Sequence, residues 1–232
     1  MSRNQLTILG SVAVLIIVAA VAYFVFFSGG SGVALGGKGP DSPSAGMVFT
    51  SGDVALGNPK APVKIIEYGA PTCPVCAHFE MDNFDQLKRE YIATGKVYFV
   101  FRVFPINGAA DGAAEGLARC AANGSADKYF TFIDLLFRNQ KDWDPEYNPP
   151  DGTHAGLMKE ARIAGIDANA DACMADKSVA ERVNTVAQDA VQRYNVSGTP
   201  TLVINGVVQP AGYMPWTQFK ALLNSFLAKA HA

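Results

Sequence analysis

The chain has 232 residues, 49% of them hydrophobic and 17% charged, with a net charge of −2. That is enough apolar chain for a proper core without covalent staples. No basic run and no aromatic–basic stripe is present, which argues against a nucleic-acid partner. Four cysteines, an even number, suit an oxidising compartment.

Leu6 to Phe27 is an uncharged, mostly apolar stretch of 22 residues, and about 20 such residues span a bilayer. Residues 1–27 therefore read as an N-terminal membrane anchor. A cleavable signal peptide is the competing reading, although its apolar core is usually only about 7–15 residues long. Arg3 precedes the run and Lys38 is the first positive charge after it. That bias puts the N-terminus in the cytoplasm and the rest outside. Residues 28–46 hold seven glycines and two prolines, the composition of a flexible linker with a mean reach of roughly 25 Å. Residues 47–232 make the folded head.

Asp53 to Lys60, with Gly57-Asn58-Pro59, reads as an opening loop. Val63–Tyr68 is a strand, ending at Gly69-Ala70-Pro71. A helix follows from Pro74 to about Ile92, with Phe79, Phe84, Leu87 and Tyr91 on one face. Lys96–Phe104 is strand-like and, beyond Lys96, apolar on both faces except at Arg102, so a central buried strand is expected. Residues 108–194 are Ala-rich and lack a strand run, with helical segments over about 110–122, 126–139, 152–164 and 171–194. Thr201–Ile204, Asn205-Gly206 and Val207–Gln209 then signal a hairpin, and a final helix runs from about Pro215 to Ala230. The order is strand, helix, strand, helical insert, hairpin and helix. It predicts an α/β fold with parallel and antiparallel pairing.

The chemistry centres on Cys73-Pro74-Val75-Cys76, at the junction of the first strand and the first helix. With Cys73 as the N-cap, Pro74 falls at N1, where its missing N–H costs nothing. The Cys73 sulfur then faces the free N–H groups and positive end of the helix, which stabilise a thiolate. A structural zinc site would usually require a second CxxC. Cys120 and Cys173 lie far apart and outside any such knuckle, so no metal is expected and the pair reads as redox-active. Cys120 and Cys173 fall on different predicted helices. Either they form a structural disulfide, which an exported location and the even count favour, or they are two separate buried thiols.

These pieces resemble the DsbA-like thiol–disulfide oxidoreductases of the thioredoxin superfamily over about Asp53 to Ala230. Three features carry the resemblance: Glu67-Tyr68-Gly69-Ala70-Pro71-Thr72-Cys73-Pro74-Val75-Cys76, then Phe79-Glu80, then Val196-Ser197-Gly198-Thr199-Pro200-Thr201. The helical insert also falls where that family carries its own. The resemblance implies a thioredoxin fold with an inserted all-helical subdomain, here preceded by a transmembrane helix. It implies that Pro200 is a cis-proline against the CxxC and that Thr199 lends its backbone to an extended substrate peptide. Glu67 matches a buried acid that exchanges a proton with Cys76, although strand alternation alone leaves open whether it faces outward. Glu80 matches a second family acid, expected to be a solvent-facing modulator. Cys73 is by resemblance the exposed, attacked sulfur. Strongly oxidising members carry His where Val75 stands, so Cys73 is expected to be less acidic here than in them, yet below the free-cysteine value.

The implied activity is introduction of disulfides into reduced exported proteins at the periplasmic face of a bacterial inner membrane. The implied partner is a DsbB-like, quinone-linked membrane oxidase, and no cofactor is needed. Alternatives are a soluble periplasmic form after signal cleavage, an isomerase or reductase kept reduced, and a peptide-binding chaperone module. With only an anchor and tether ahead of the head, a monomer is expected.

Overall fold

The computed structural model describes residues 46–230. The anchor expected at 1–27 and the linker expected at 28–46, apart from Gly46, lie outside them. Among the described residues no helix is long and apolar enough to cross a membrane.

Five strands form one sheet in the order β1 (Val54–Gly57), β3 (Val97–Val103), β2 (Val63–Gly69), β4 (Thr201–Ile204), β5 (Val207–Val208). β2 and β3 run parallel, with Glu67 opposite Phe101, and the other neighbours are antiparallel. The chain crosses from β2 to β3 through α1 (Pro74–Leu87) and one π-helical turn, Lys88–Ile92. The predicted helix thus keeps its length but changes its winding after Leu87.

β1 corrects the opening-loop reading of Asp53–Lys60. Four residues are too few to show an alternation, and what makes them a strand is pairing with β3, Val54 opposite Phe101 through Gly57 opposite Tyr98. Its approach is fastened by Arg102 of β3, whose Nε and Nη2 donate to Asp53 at 2.9 and 2.8 Å, and whose Nη2 also reaches the Val48 carbonyl. Its Nη1 donates to the Tyr68 hydroxyl at 3.0 Å. A buried guanidinium has to be paired in this way, which explains a lone arginine in an apolar strand.

Alternation along β2 sorts the core into two layers. Val63 and Ile65 join Phe79, Phe84, Phe99, Phe101 and Phe219, beneath α1 and α8 (Trp216–Ala230). Ile66 and Tyr68 face the other way, with Val100, Val203, Ala190 and Tyr194. Glu67, two residues past Ile65, therefore lies on the α1 side. That settles the choice the sequence left open.

The insert comprises α2 (Ala109–Ala122), α3 (Ala126–Arg138), α4 (Gln140–Trp143), α5 (Pro150–Ile163), a 3-10 turn at Asp167–Asn169, α6 (Ala170–Met174) and α7 (Lys177–Tyr194). The single helix expected over 171–194 is broken after Met174. Asp176 caps α7 by accepting from the Ser178 N–H at 2.8 Å, and this competes with helix continuation. Gly116 of α2 sits where a Cβ would come within 2.1 Å of the Cys173 carbonyl. That close approach brings Cys120 and Cys173 together, and their sulfurs are bonded at 2.00 Å.

Candidate functional site

Cys73 is the N-cap of α1, with φ −82° and ψ 116°, and Pro74 opens the first turn. The Cys73 sulfur accepts from the Cys76 N–H at 3.2 Å, and the Cys73 carbonyl accepts from the Ala77 N–H at 3.0 Å. Both thiols are free in this structure. Cys73 is 4% exposed and Cys76 wholly buried, so the attacked sulfur expected to be exposed is the less enclosed of two sheltered ones. Val75 is exposed, since its side chain leaves the helix on the outer face.

The Thr199–Pro200 peptide is cis. The Cys73 thiol lies 3.6 Å from the Thr199 carbonyl, so the loop before β4 does meet the CxxC. Gly212 N–H donates to the Pro200 carbonyl at 2.9 Å. The segment after β5 that carries Gly212 is in turn tied to α1, where Asn83 Nδ2 donates to the Met214 carbonyl at 3.1 Å.

The two cysteines are driven apart in acidity. Cys73 is lowered from its ordinary 9.0 to about 6, chiefly by the thiol hydrogen bond from Cys76, helped by Thr199 and the N–H groups of Cys76 and Val75 and opposed by burial. Cys76 is pushed well up by burial, and further by the bond it gives Cys73 and by the nearby Glu67. One thiol is poised as a thiolate and the other as its proton donor.

Glu67 is wholly buried, and neither carboxylate oxygen has a donor partner. Burial first, then the charge of Glu80, raises its pKa well above the usual carboxylate range. Glu80 corrects an expectation. It is 7% exposed rather than solvent-facing, and burial raises it to about 7. The reason is helical spacing: Cys76, Phe79, Glu80, Asn83 and Leu87 form the inward stripe of α1. Two carboxylates buried near one another cannot both ionise readily, which is the direction in which both are shifted.

Two insert residues at the site were not legible from sequence. Gln140 Nε2 donates to the carbonyls of Pro71 and Cys73, and Asp111 Oδ1 accepts from the Thr72 N–H. They stand 67 and 39 residues from the groups they hold, and no local pattern connects them.

The aromatic cluster of α3 is mostly buried, at Phe130, Phe132, Leu136 and Phe137. Phe132 and Leu135 line a groove of about 790 Å³ whose walls also include Cys120, Lys128, Arg138 and Ile166, and which includes neither cysteine of the CxxC. Among the described residues no three metal-ligating side chains gather.

A family model described as Thioredoxin matches residues 50–225. A "Probable disulfide bond formation protein D" of Bacillus cereus is 29% identical over 212 residues, covering 89% of this chain and 91% of the relative. A "Putative protein-disulfide oxidoreductase" of Rickettsia bellii is 29% identical over 157 residues, 67% of this chain and 58% of the relative. The crystal structure of Wolbachia pipientis alpha-DsbA1 superposes with a TM-score of 0.72 at 25% identity, covering 82% of this chain and 98% of that one.

Proposed function

This chain belongs to the thioredoxin family, in its DsbA-like branch, and from that premise we propose that it donates its Cys73–Cys76 disulfide to reduced proteins outside the cytoplasm. The observation that carries the reading is the split between the two thiols, with Cys73 lowered to about 6 and Cys76 raised, at one helix start against the Thr199–Pro200 loop.

In the oxidised enzyme a substrate thiolate attacks the Cys73 sulfur. A substrate–Cys73 bond forms, the 73–76 bond breaks, and Cys76 leaves with the electron pair. Its high proton affinity favours prompt protonation, for which Glu67 and Glu80 hold a proton close by. A second substrate thiolate then attacks the substrate sulfur of the mixed disulfide, and Cys73 leaves as a stable thiolate. The substrate is oxidised by two electrons and the enzyme is left as a dithiol. Thr199 presents backbone beside the attacked sulfur, where an extended peptide can pair with it. Re-oxidation falls to a DsbB-like, quinone-linked membrane protein. The apolar run at 6–27 holds the head at the periplasmic face of the inner membrane.

Trapping tests this directly. Cys76→Ser, first charged at Cys73 as its mixed disulfide with glutathione, should exchange with reduced substrate thiols, release glutathione and accumulate protein mixed disulfides, and Cys73→Ser given the same treatment should not. Absence of trapped species from both would favour a peptide-binding module. The reductase alternative is kept by Val75, whose exposed apolar side chain offers the Cys73 thiolate no charge. The equilibrium of the pair with glutathione separates the two, since a potential near −120 mV marks a strong oxidant and one near −270 mV a reductant.

A further inference from the structure

The backbone segment that carries the attacked cysteine is held from outside the thioredoxin unit. Pro71-Thr72-Cys73 joins β2 to α1. Gln140 Nε2, at the start of α4, donates to the Pro71 carbonyl at 2.7 Å and to the Cys73 carbonyl at 3.0 Å. A primary amide has two N–H donors on one nitrogen, so a single amide orientation serves both carbonyls. Between them, the Thr72 N–H donates to Asp111 Oδ1 at 2.9 Å. Asp111 Oδ2 in turn accepts from the N–H groups of Ile106 and Asn107 at 2.9 and 2.8 Å, so the carboxylate is itself anchored. Gln140 is 7% exposed, and Thr72 and Asp111 are buried, so water does not compete for these bonds.

The Cys73 carbonyl is also the first acceptor of α1, taking the Ala77 N–H at 3.0 Å. Gln140 thus fixes the residue whose dihedrals aim its sulfur at the Cys76 N–H. Its amide hydrogens also offset the negative end of a carbonyl next to the thiolate. The thioredoxin unit supplies the sulfur, while the insert supplies the clamp on its backbone.

We infer that Gln140 is a positioning residue for the redox pair: by bridging the Pro71 and Cys73 carbonyls it holds Cys73 in the N-cap geometry that stabilises its thiolate, so the helical insert sets the reactivity of the pair. This rests on the redox role proposed above for Cys73 and Cys76. The titratable groups facing the segment are Cys76, Glu67 and Asp111, with Asp144 beside Asp111, and none of them changes in the variant used here.

The test is Gln140→Leu in the full chain, which removes both donors at nearly constant bulk. Reduced protein is titrated by thiolate absorbance at 240 nm, and the pair is equilibrated with glutathione. The Cys73 midpoint should rise, and the equilibrium should move about fivefold toward the oxidised enzyme, because less of the stability of the reduced form remains. A folded variant with the wild-type midpoint and equilibrium constant would overturn the inference. Should Gln140→Leu fail to fold, the wild-type protein still decides: the Gln140 side-chain amide resonance should follow the Cys73 titration, and a flat response refutes the link. If wild-type protein does not exchange with glutathione at all, the redox reading falls and this inference with it. If it exchanges and the variant matches it, only this inference falls.

Discussion

Replacing Cys76 with alanine isolates the largest single cause of the Cys73 acidity. With Cys73 at about 6, roughly 90% of it is thiolate at pH 7, against about 1% for an unperturbed thiol. A depressed pKa makes the folded, reduced protein more stable as pH rises. That contribution is complete above the unfolded value of 9.0 and is lost as pH falls through about 6. At pH 7 linkage gives about 1.4 kcal/mol, which screening at the solvent side of the site reduces to about 1 kcal/mol. For a two-electron couple this raises the potential by about 20 mV. The thiol of Cys76 is the first contributor to that shift. A hydrogen bond to a charged acceptor is worth about 1.5–3 kcal/mol, so Cys76→Ala should raise the Cys73 midpoint by at least about one unit. Thiolate at pH 7 would drop from roughly 90% to about half or less, read by absorbance at 240 nm and by a matching fall in iodoacetamide alkylation rate. Cys76→Ser keeps a donor and should shift less. A Cys76→Ala midpoint indistinguishable from wild type would refute the reasoning and assign the acidity to the backbone N–H groups and helix end alone.

Glu67→Gln should stabilise the oxidised protein at pH 8 by about 1–3 kcal/mol, because a raised carboxyl pKa costs stability as pH climbs from 4.5 through the folded value. Denaturant melts at pH 4 and pH 8 should therefore converge in the variant, and a wild-type pH slope in Glu67→Gln would contradict the buried dyad. Removing the bridge with Cys120→Ala/Cys173→Ala opens a loop with a sequence separation of 53 and should cost about 4 kcal/mol in the chain-entropy model; urea midpoints check this, and an unchanged midpoint would show that packing at Gly116 suffices. Asp53→Asn leaves the Arg102 guanidinium buried without its carboxylate and should cost about 3–5 kcal/mol, with early proteolysis ahead of β1; equal protease resistance would refute the latch.

The glutamate pair also shows how helix periodicity, applied one step further, reads function. The family resemblance alone points Glu80 toward solvent. Counting three and four residues on from Cys76 places Phe79 and Glu80 on the buried stripe. Once β2 alternation puts Glu67 under α1, the two carboxylates have to meet. The alternation is blind to which face is which until the other core layer, Ile66 with Tyr194 and Val203, is identified.

By itself the sequence determined the strand–CxxC–helix junction, the parallel β2/β3 pair, the hairpin and the all-helical character of the insert. Each of these is written in local terms: turn residues, apolar period, and proline at a helix start. Tertiary structure decided what depends on contact between distant segments. β1 exists only through its pairing with β3, and α6 and α7 separate because Asp176 finds a better bond than helix continuation. Glu80 is acidic chemistry inside the core rather than a surface charge. The Gln140 and Asp111 clamp on the Cys73 backbone joins residues far apart in the chain, through bonds to peptide groups that any residue type offers. A backbone acceptor leaves no mark on the sequence, so such a clamp can be seen only once the chain has folded.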